Sequence, residues 1–460
     1  VTTTVYLRLI RGVAKIGTME AHPIRYYHDE TGMKEQGLRE MAIERGKKWF
    51  SLFGIHHVQY DGVAGQRANN GQGAVTRHYV NSRIMVDRAT FRRNNPSFRF
   101  PPPLPPVVEV DENGNPTNTW GPNHPPPQVP PPPASDPTIQ PSPQVGKRPA
   151  ARSAGTTVVA TDAYEEITMD DYTEEDYLLA STLVYGFSLS DKIWLEFSVS
   201  TIRPVEWNET AFNNLVLPSG RKDLLKSLIE VHHQGLNFDD FIKGKGHGLI
   251  INLYGPPGVG KTFSAEATSE HVKRPLYIVG AGDLGTNANI LDKALEKVFN
   301  LATIWKAIVL IDEADVFLEQ RSLKDLERNA MVAAFLRHVE YYRGILFLTT
   351  NRIKTFDEAF LSRIHVALHF TELSLESKIQ IWTAFLGKVG ALVESGGEIT
   401  EAEITELSKR EINGRQIKNA VRTAQSLASA KGQKLAYAHV VQTLDAMEEF
   451  TREFEKAIVA

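Results

Sequence analysis

The sequence predicts an α/β fold, in which a parallel sheet covered by helices has a small helical domain behind it and a mixed α+β region in front of it. Three observations support this fold class. Short apolar runs alternate with helical stretches from residue 249 onward, strand-like runs stop after Glu372, and a stretch very rich in proline interrupts the chain before residue 160.

The parallel sheet is predicted from short apolar runs, which lie at 249–254, 276–280, 307–311, 345–350 and 366–370. Fully apolar runs separated by helices are typical of parallel strands that are buried on both faces. The chain after residue 372 contains only helical stretches, at 375–389, 401–408, 415–430 and 436–457. We therefore expect an α/β domain at 231–372 and a helical lid domain at 373–460.

The proline-rich stretch holds 18 of the chain's 25 prolines, between residues 101 and 149. Proline lacks a backbone donor and few core-forming residues accompany it here, so we expect a disordered or polyproline-like segment at 101–160. The simpler interpretation is a solvated linker or insertion. The alternative is a docking site at 101–149 for a partner that reads proline-rich peptides.

Residues 1–100 and 161–230 are predicted to form the first and second parts of an N-terminal α+β domain. Alternating or apolar runs indicate strands at 4–9 and 83–87, and 38–53 has helical spacing. In the second part, an acidic segment precedes a helix that Thr173 and Asp176 are expected to cap. The runs at 183–187 and 193–199 flank a polar turn and predict a β-hairpin.

Composition excludes several kinds of chemistry. The chain has no cysteine, which rules out disulfides, thiolate metal sites and a cysteine nucleophile. Its net charge of −4 and the lack of a basic-aromatic cluster argue against a nucleic-acid partner. No apolar run reaches the length of about 18 residues that a membrane-spanning helix needs. We expect an intracellular location, cytoplasmic or nuclear, and a start at Val1 leaves a targeting segment upstream open.

The loop at 255–262 reads Gly-Pro-Pro-Gly-Val-Gly-Lys-Thr and fits the phosphate-loop pattern in full. Its glycines let several backbone N–H groups face phosphate oxygens. Lys261 is expected to reach the β- and γ-phosphates of ATP, and the Thr262 hydroxyl to bind Mg²⁺. The residues predicted to contact ATP here are Gly255, Pro256, Pro257, Gly258, Val259, Gly260, Lys261, Thr262 and Phe263.

Acidic residues directly follow the third apolar run. A parallel strand that ends in carboxylates points them at the sheet edge where phosphates bind. We predict that Asp312 binds Mg²⁺ and that Glu313 is the general base for the attacking water. The alternative is an acidic helix N-terminus. Asp315 is assigned a structural or inter-subunit contact, and Asn351, after the next apolar run, is predicted to hold the water.

Together, the phosphate loop, the Asp312–Glu313 pair and the sequence Thr349–Thr350–Asn351 resemble the AAA family, over roughly residues 235–450. The resemblance implies a phosphate-loop AAA+ domain with a helical lid that binds ATP and Mg²⁺ and hydrolyses ATP. Residues 241–246 and 318–322 more narrowly resemble poorly characterised fungal AAA proteins. Their N-terminal region is similar to residues 1–100 and 182–215, which implies that the proline-rich stretch is inserted within one domain.

The resemblance also implies a ring-like homo-oligomer, with a hexamer expected, in which a neighbouring subunit supplies an arginine finger. Arg363 is the candidate, in a segment two residues shorter than in the family, and a surface salt bridge is the alternative. Arg328 is a second, weaker candidate. In the lid, Arg415 occupies the position of a second sensor, where it is expected either to contact ATP or to cap a helix.

The matching stretch for a substrate-threading pore loop, at 283–290, contains no aromatic residue, and Tyr277 is expected to be a core residue. Threading by aromatic grip is therefore not expected. The leading hypothesis is an ATP-hydrolysing motor that remodels an unidentified protein partner held by the N-terminal domain. The alternative is an ATP-gated scaffold with little turnover. The adjacent histidines at 56–57 and 232–233 do not face one way, so they predict no metal site.

Overall fold

The computed structural model describes residues 35–67, 75–96, 98, 172–233, 248–318, 325–351, 358–393 and 397–459. The predicted strand at 4–9, the proline-rich stretch at 101–149, and the segments 241–246 and 319–322 lie outside these residues.

The N-terminal region forms an antiparallel sheet with strand order β2-β3-β4-β1-β5, and β1 also pairs with β2. Its strands come from both sides of the proline-rich stretch, so one sheet joins the two parts of this region. Its core includes Tyr60, Ile84 and Phe197, which are fully buried. The elements are α1 (Glu35–Ser51), β1 (Ile55–Arg67), β2 (Val75–Asp87), α2 (Arg88–Asn94), α3 (Glu174–Leu179), β3 (Leu183–Ser188), β4 (Trp194–Ser198) and β5 (Ile202–Arg203).

Two short-range predictions in the N-terminal region agree with the structure. The hairpin β3–β4 is present, and Thr173 and Asp176 form a capping box at the start of α3. The strand expected at 83–87 is part of the longer β2, which pairs along its whole length with β1. The sequence did not predict β1, because its polar residues and two glycines hide the alternation expected of a strand.

The second sheet is parallel, with strand order β10-β6-β9-β8-β7. Helices lie on both of its faces, which confirms the predicted fold class. The elements are α4 (Ser219–His233), β6 (Leu249–Tyr254), α5 (Lys261–Val272), β7 (Leu276–Gly280), α6 (Ala281–Leu284), α7 (Ala288–Trp305), β8 (Ile308–Asp312), α8 (Asp315–Leu318), α9 (Leu326–Tyr341), β9 (Ile345–Thr350), α10 (Glu358–Leu361) and β10 (Val366–His369).

The strands of this sheet are apolar throughout because each one is buried on both sides. In β9, Ile345 and Phe347 belong to the core on the α4–α5 face, whereas Leu346 and Leu348 belong to the core on the α7–α9 face. Successive side chains of a strand point to opposite faces, so such a strand needs an unbroken apolar run. This burial fixes the carboxyl ends of β6, β8 and β9 side by side.

The last four helices form a separate apolar cluster around Trp382, which is fully buried. They are α11 (Leu375–Lys388), α12 (Glu401–Ser408), α13 (Gly414–Ala430) and α14 (Tyr437–Val459). Their bounds agree with the helical stretches expected after residue 372 to within two residues. Among the described helices, none is long and apolar enough to cross a membrane.

The antiparallel sheet is docked on the α7 side of the parallel sheet. Phe187 lies in the same apolar core as Trp305, with the two rings 5.3 Å apart. Nε1 of Trp305 donates a hydrogen bond of 2.9 Å to the buried carboxylate of Asp87. Arg83 forms a 2.7 Å ion pair with Glu270 of α5. The N-terminal sheet is therefore attached to the α/β unit through a shared core.

Candidate active site

The phosphate loop occupies the turn from β6 into α5. Gly255 and Gly260 have positive φ angles of 144° and 105°, which residues with a Cβ atom rarely adopt. A Cβ atom on Gly255 would also lie 2.0 Å from the carbonyl oxygen of Phe370. Glycine is therefore required at Gly255 both for the backbone conformation and for the close approach of Phe370, the residue after β10.

Lys261 is the first residue of α5, and its side chain turns back over the loop. It is only 7% exposed, and its Nζ donates to the carbonyl oxygens of Gly255 (2.7 Å) and Pro256 (2.6 Å) and to Oδ1 of Asn351 (2.8 Å). Burial lowers the pKa of Lys261, while Asp312 and Asp315 act in the opposite direction. The ammonium group is thus held at the mouth of the loop, where it suits phosphate oxygens.

A carboxylate and a hydroxyl meet beside this lysine. β8 ends at Asp312, whose Oδ1 accepts hydrogen bonds from the hydroxyls of Thr262 (3.2 Å) and Thr349 (2.5 Å). Hydroxyl and carboxylate oxygens are the ligands that Mg²⁺ prefers, usually together with phosphate oxygens and water. The pair Thr262 and Asp312 therefore fits Mg²⁺, and the Lys261 loop fits the phosphates of ATP.

Glu313 lies in the turn immediately after β8. Its φ of 55° is uncommon for a residue other than glycine, and its side chain is exposed. Its backbone N–H donates to Oγ1 of Thr349 at 3.0 Å. The residue that was predicted as the general base is therefore solvent-exposed and directly follows Asp312 in the chain.

Asn351 follows β9, the strand that lies between β6 and β8. Its backbone N–H donates to Oδ1 of Asp315 at 3.2 Å, and the hydroxyl of Thr350 donates to the same oxygen. Asp315 therefore has a structural contact that fastens the end of β9 to the start of α8. The sequence predicted either this contact or one across a subunit interface.

The lid touches the phosphate loop through the start of α13. A Cβ atom on Gly258 would lie 2.6 Å from the side chain of Asn413, so the loop and the lid are in close contact. Asn413 caps α13 and forms a capping box with Gln416. The helix-cap role considered for Arg415 is therefore filled by these two residues. Arg415 itself is exposed, and its charge contributes to lowering the pKa of Lys261.

Arg363 contacts residues of α9 and α10. Its guanidinium donates to Oε2 of Glu340 at 2.7 Å and to the carbonyl oxygen of Ala359 at 2.7 Å, and its side chain is 26% exposed. It is a residue of the α9–α10 side of the domain. Arg328 lies at the start of α9, where its backbone N–H donates to the capping residue Asp325.

The stretch that corresponds to a pore loop, at 283–290, is held at its first residue by contacts within the chain. Asp283, in α6, accepts a hydrogen bond from the Gly280 N–H and pairs with Lys192 of the N-terminal sheet. Tyr277 is 4% exposed and packs near Phe187 and Trp305, as expected for a core residue. Among the residues that the structure describes, no cluster of three or more histidine or acidic side chains has the geometry to hold a metal.

Sequence reasoning missed Thr349. It was noted only as a neighbour of Asn351, yet its hydroxyl bridges Asp312 and the backbone of Glu313. The available signal was a pair of threonines at the end of an otherwise apolar strand, beside a strand that ends in carboxylates. Hydroxyls buried at such an edge need partners, and the carboxylates of the neighbouring strand provide them.

The fold and the site define a nucleotide-binding domain of the phosphate-loop class. Residues 251–372 match the model of the "ATPase family associated with various cellular activities (AAA)", so the parallel-sheet unit is an AAA domain. This match covers the phosphate loop from its strand onward and all of the sheet except β6's first two residues.

The chain is also similar to proteins named for this domain. It is 34% identical over 134 residues to human ATPase family AAA domain-containing protein 3B. The aligned residues make up 28% of this chain and 21% of the relative. It is 32% identical over 145 residues to ATPase family AAA domain-containing protein 3 of Caenorhabditis elegans, covering 30% and 24%. The Drosophila melanogaster 3A homolog is 30% identical over 150 residues, covering 31% and 25%. The matched part thus spans about a quarter of these relatives or less.

Proposed function

We propose that this chain is an ATPase, which binds ATP with Mg²⁺ and hydrolyses it to ADP and phosphate. The observation that carries the proposal is a set of contacts at the carboxyl edge of one parallel sheet. Nζ of Lys261 donates to Oδ1 of Asn351 at 2.8 Å, and Oδ1 of Asp312 accepts from the hydroxyls of Thr262 (3.2 Å) and Thr349 (2.5 Å). Each group there suits a different part of phosphoryl transfer.

In the proposed reaction, the loop N–H groups and Lys261 bind the β- and γ-phosphates. Thr262 and Asp312 would hold Mg²⁺, which neutralises developing charge on the phosphates when bound. Glu313 takes a proton from the attacking water, while Asn351 orients that water toward the γ-phosphate. Lys261 then stabilises the negative charge that builds up on the phosphate oxygens.

The site is proposed to be completed by a second copy of the chain. Within its own chain, Arg363 contacts Glu340 and Ala359 on the α9–α10 side and does not contact the phosphate loop. These contacts place Arg363 on the α9–α10 side of the domain, which is consistent with a role across an interface. We therefore propose a ring-like homo-oligomer, with a hexamer as the expected form, in which Arg363 acts as the finger for the neighbouring site. Arg415 is proposed to contact ATP from the lid of the same chain.

The work driven by hydrolysis is proposed to be remodelling of a protein partner that the N-terminal region holds. That region shares a core with the AAA domain, and we propose that this core transmits conformational changes of the domain to the antiparallel sheet. The resemblance to poorly characterised fungal AAA proteins suggests that this region corresponds to the N-terminal domain of those proteins. The stretch 101–149 is proposed to be a linker or insertion, with a docking site for a proline-reading partner as the alternative.

Turnover and ATP binding, measured together, test this proposal. Purified wild-type protein is expected to release phosphate from MgATP. Glu313→Gln should bind ATP with wild-type affinity and release almost none, and Lys261→Ala should lose ATP binding. Tight ATP binding by the wild type without phosphate release would instead support the ATP-gated scaffold. Undiminished hydrolysis by Glu313→Gln would remove Glu313 from the role of base.

A further inference from the structure

Thr349, near the end of β9, fastens this strand to the turn after β8. Thr349 is 2% exposed and makes hydrogen bonds to three successive residues of that turn. Its hydroxyl donates to Oδ1 of Asp312 (2.5 Å) and accepts from the N–H of Glu313 (3.0 Å), and its carbonyl oxygen accepts from the N–H of Ala314 (2.9 Å).

The position of the Thr349 hydroxyl follows from the register of β8 against β9. β8 and β9 are paired so that Ile311 lies opposite Leu348, which brings Asp312 and Thr349 next to each other at the sheet edge. A hydroxyl carries one donor and two acceptor sites, so it can donate to a carboxylate while it accepts from an amide. Valine has the same shape and can do neither.

Each of these two hydrogen bonds restrains a group with a proposed chemical role. The hydrogen bond to Oδ1 restrains rotation of the Asp312 carboxylate. Oδ2, the other oxygen of Asp312, receives no hydrogen bond from this hydroxyl. The bond from Glu313 N–H holds a backbone at φ 55°, a conformation that a residue with a side chain adopts rarely. Without the hydroxyl, the Asp312 carboxylate would be less restrained in its rotation. The backbone of Glu313, and with it the direction of the Glu313 side chain, would also be less restrained.

We propose that Thr349 is the positioning residue of this site, which sets Asp312 for Mg²⁺ and Glu313 for the attacking water through one shared hydroxyl. The inference rests on the proposed ATPase function and adds a residue to it. Thr349 is proposed to act through the two acidic residues that its hydroxyl contacts. Residues that orient metal ligands typically change metal affinity or activity about 10- to 100-fold when replaced.

Two pairs of variants isolate the hydroxyl from packing. Thr349→Val keeps the shape and removes the hydroxyl. Thr349→Ser and Thr349→Ala both lack the methyl group and differ only in the hydroxyl. Thr443→Val is the matched control, because Thr443 is also buried, with its hydroxyl bonded to the His439 carbonyl oxygen in the lid.

Three quantities are measured on the full-length protein: the kcat for ATP, the Mg²⁺ concentration that gives half-maximal activity, and ATP affinity in EDTA. We expect Thr349→Val and Thr349→Ala to lower kcat and to raise the Mg²⁺ requirement, each about 10- to 100-fold. Their ATP affinity in EDTA should stay within about threefold of wild type, because Lys261 and the loop are intact. Thr349→Ser should recover most of both quantities, and Thr443→Val should match wild type.

Equal impairment of Thr349→Ser and Thr349→Ala would overturn the proposal, because it would show that the methyl group's packing matters and the hydroxyl does not. Wild-type kcat and Mg²⁺ dependence in Thr349→Val would overturn it as well. If the wild type itself shows no turnover, the ATPase proposal fails separately. The Mg²⁺ dependence of ATP binding, compared between Thr349→Ser and Thr349→Ala, then still decides the role of Thr349.

Discussion

Nζ of Lys261 lies 2.8 Å from Oδ1 of Asn351, although the two residues are 90 positions apart in the chain. β6 and β9 are neighbours in register, with Tyr254 opposite Thr350, so the residues that follow these strands come together. One of them follows a glycine-rich loop and the other a strand end. We propose that both act on the same γ-phosphate, Lys261 through its charge and Asn351 through the attacking water.

Asn351→Ala is expected to lower kcat about 100-fold while ATP affinity changes far less. The reason is that a positioned polar group which acts on the reacting atoms costs about 10²–10³ in kcat when it is removed. Steady-state kinetics together with equilibrium ATP binding provides the test. A variant with normal kcat and a raised KM would show that Asn351 binds ATP and has no part in the chemical step.

The buried ring of His57 is expected to make the protein less stable in acid. Burial lowers the pKa of His57 to about 4, and the charge of Arg83 contributes. The native ring therefore stays neutral where the unfolded chain, with a pKa near 6.5, takes up a proton. Below pH 6.5 the unfolded state binds more protons, so the free energy of unfolding falls by about 3 kcal/mol toward pH 4 from this residue.

Urea unfolding at several pH values between 4 and 7 measures this effect. His57→Gln should show a smaller loss of stability over the same range, by about the same 3 kcal/mol. The comparison uses the difference in pH dependence between the two proteins, because the substitution also alters packing against Trp207. Parallel pH dependences in wild type and His57→Gln would contradict the prediction.

Asp87 is expected to be a stabilising contact between the two sheets. Its Oδ2 accepts from Trp305 Nε1, and its Oδ1 accepts from the Thr90 N–H at the start of α2. Asp87→Asn keeps the acceptor for Thr90 but turns an amide N–H₂ toward the indole N–H, so that two buried donors face each other. We expect a loss of about 1–3 kcal/mol in the free energy of unfolding, measured by urea denaturation.

Trp305→Phe is the partner variant for a double-mutant cycle, because it removes the indole donor. The two substitutions together should destabilise the protein by less than the sum of their separate effects, with a coupling of about 0.5–3 kcal/mol. Strictly additive effects would show that the hydrogen bond between Trp305 and Asp87 does not contribute to stability.

The sequence predicted the parts of this molecule that local rules determine. The phosphate loop is marked by its glycines and Lys261, and the buried strands by apolar runs that a parallel sheet requires. It did not predict β1, whose polar residues pair with β2 in a long two-stranded ribbon. It also gave no sign of the Asp87–Trp305 contact, because two residues 218 positions apart meet only when the two sheets dock.

The candidate site shows the same division. Lys261 was predicted from the phosphate-loop pattern, and Asp312, Glu313 and Asn351 from residue type and their places at strand ends. The bridging role of Thr349 was not, because it depends on the register of β8 against β9 and on the backbone conformation of Glu313. Neither the register nor a positive φ can be read from residue types alone.

We propose that ATP is hydrolysed at a site to which two copies of the chain contribute. Mixing Lys261→Ala with Arg363→Ala tests it most directly, because the first lacks a working ATP site and the second lacks the finger. Each variant alone should be inactive, with Arg363→Ala still binding ATP. An equimolar mixture should recover about a quarter of wild-type activity, because random assembly joins the two intact halves at about a quarter of the interfaces. Full activity of Arg363→Ala alone, or no recovery in a mixture shown to contain mixed oligomers, would contradict the account.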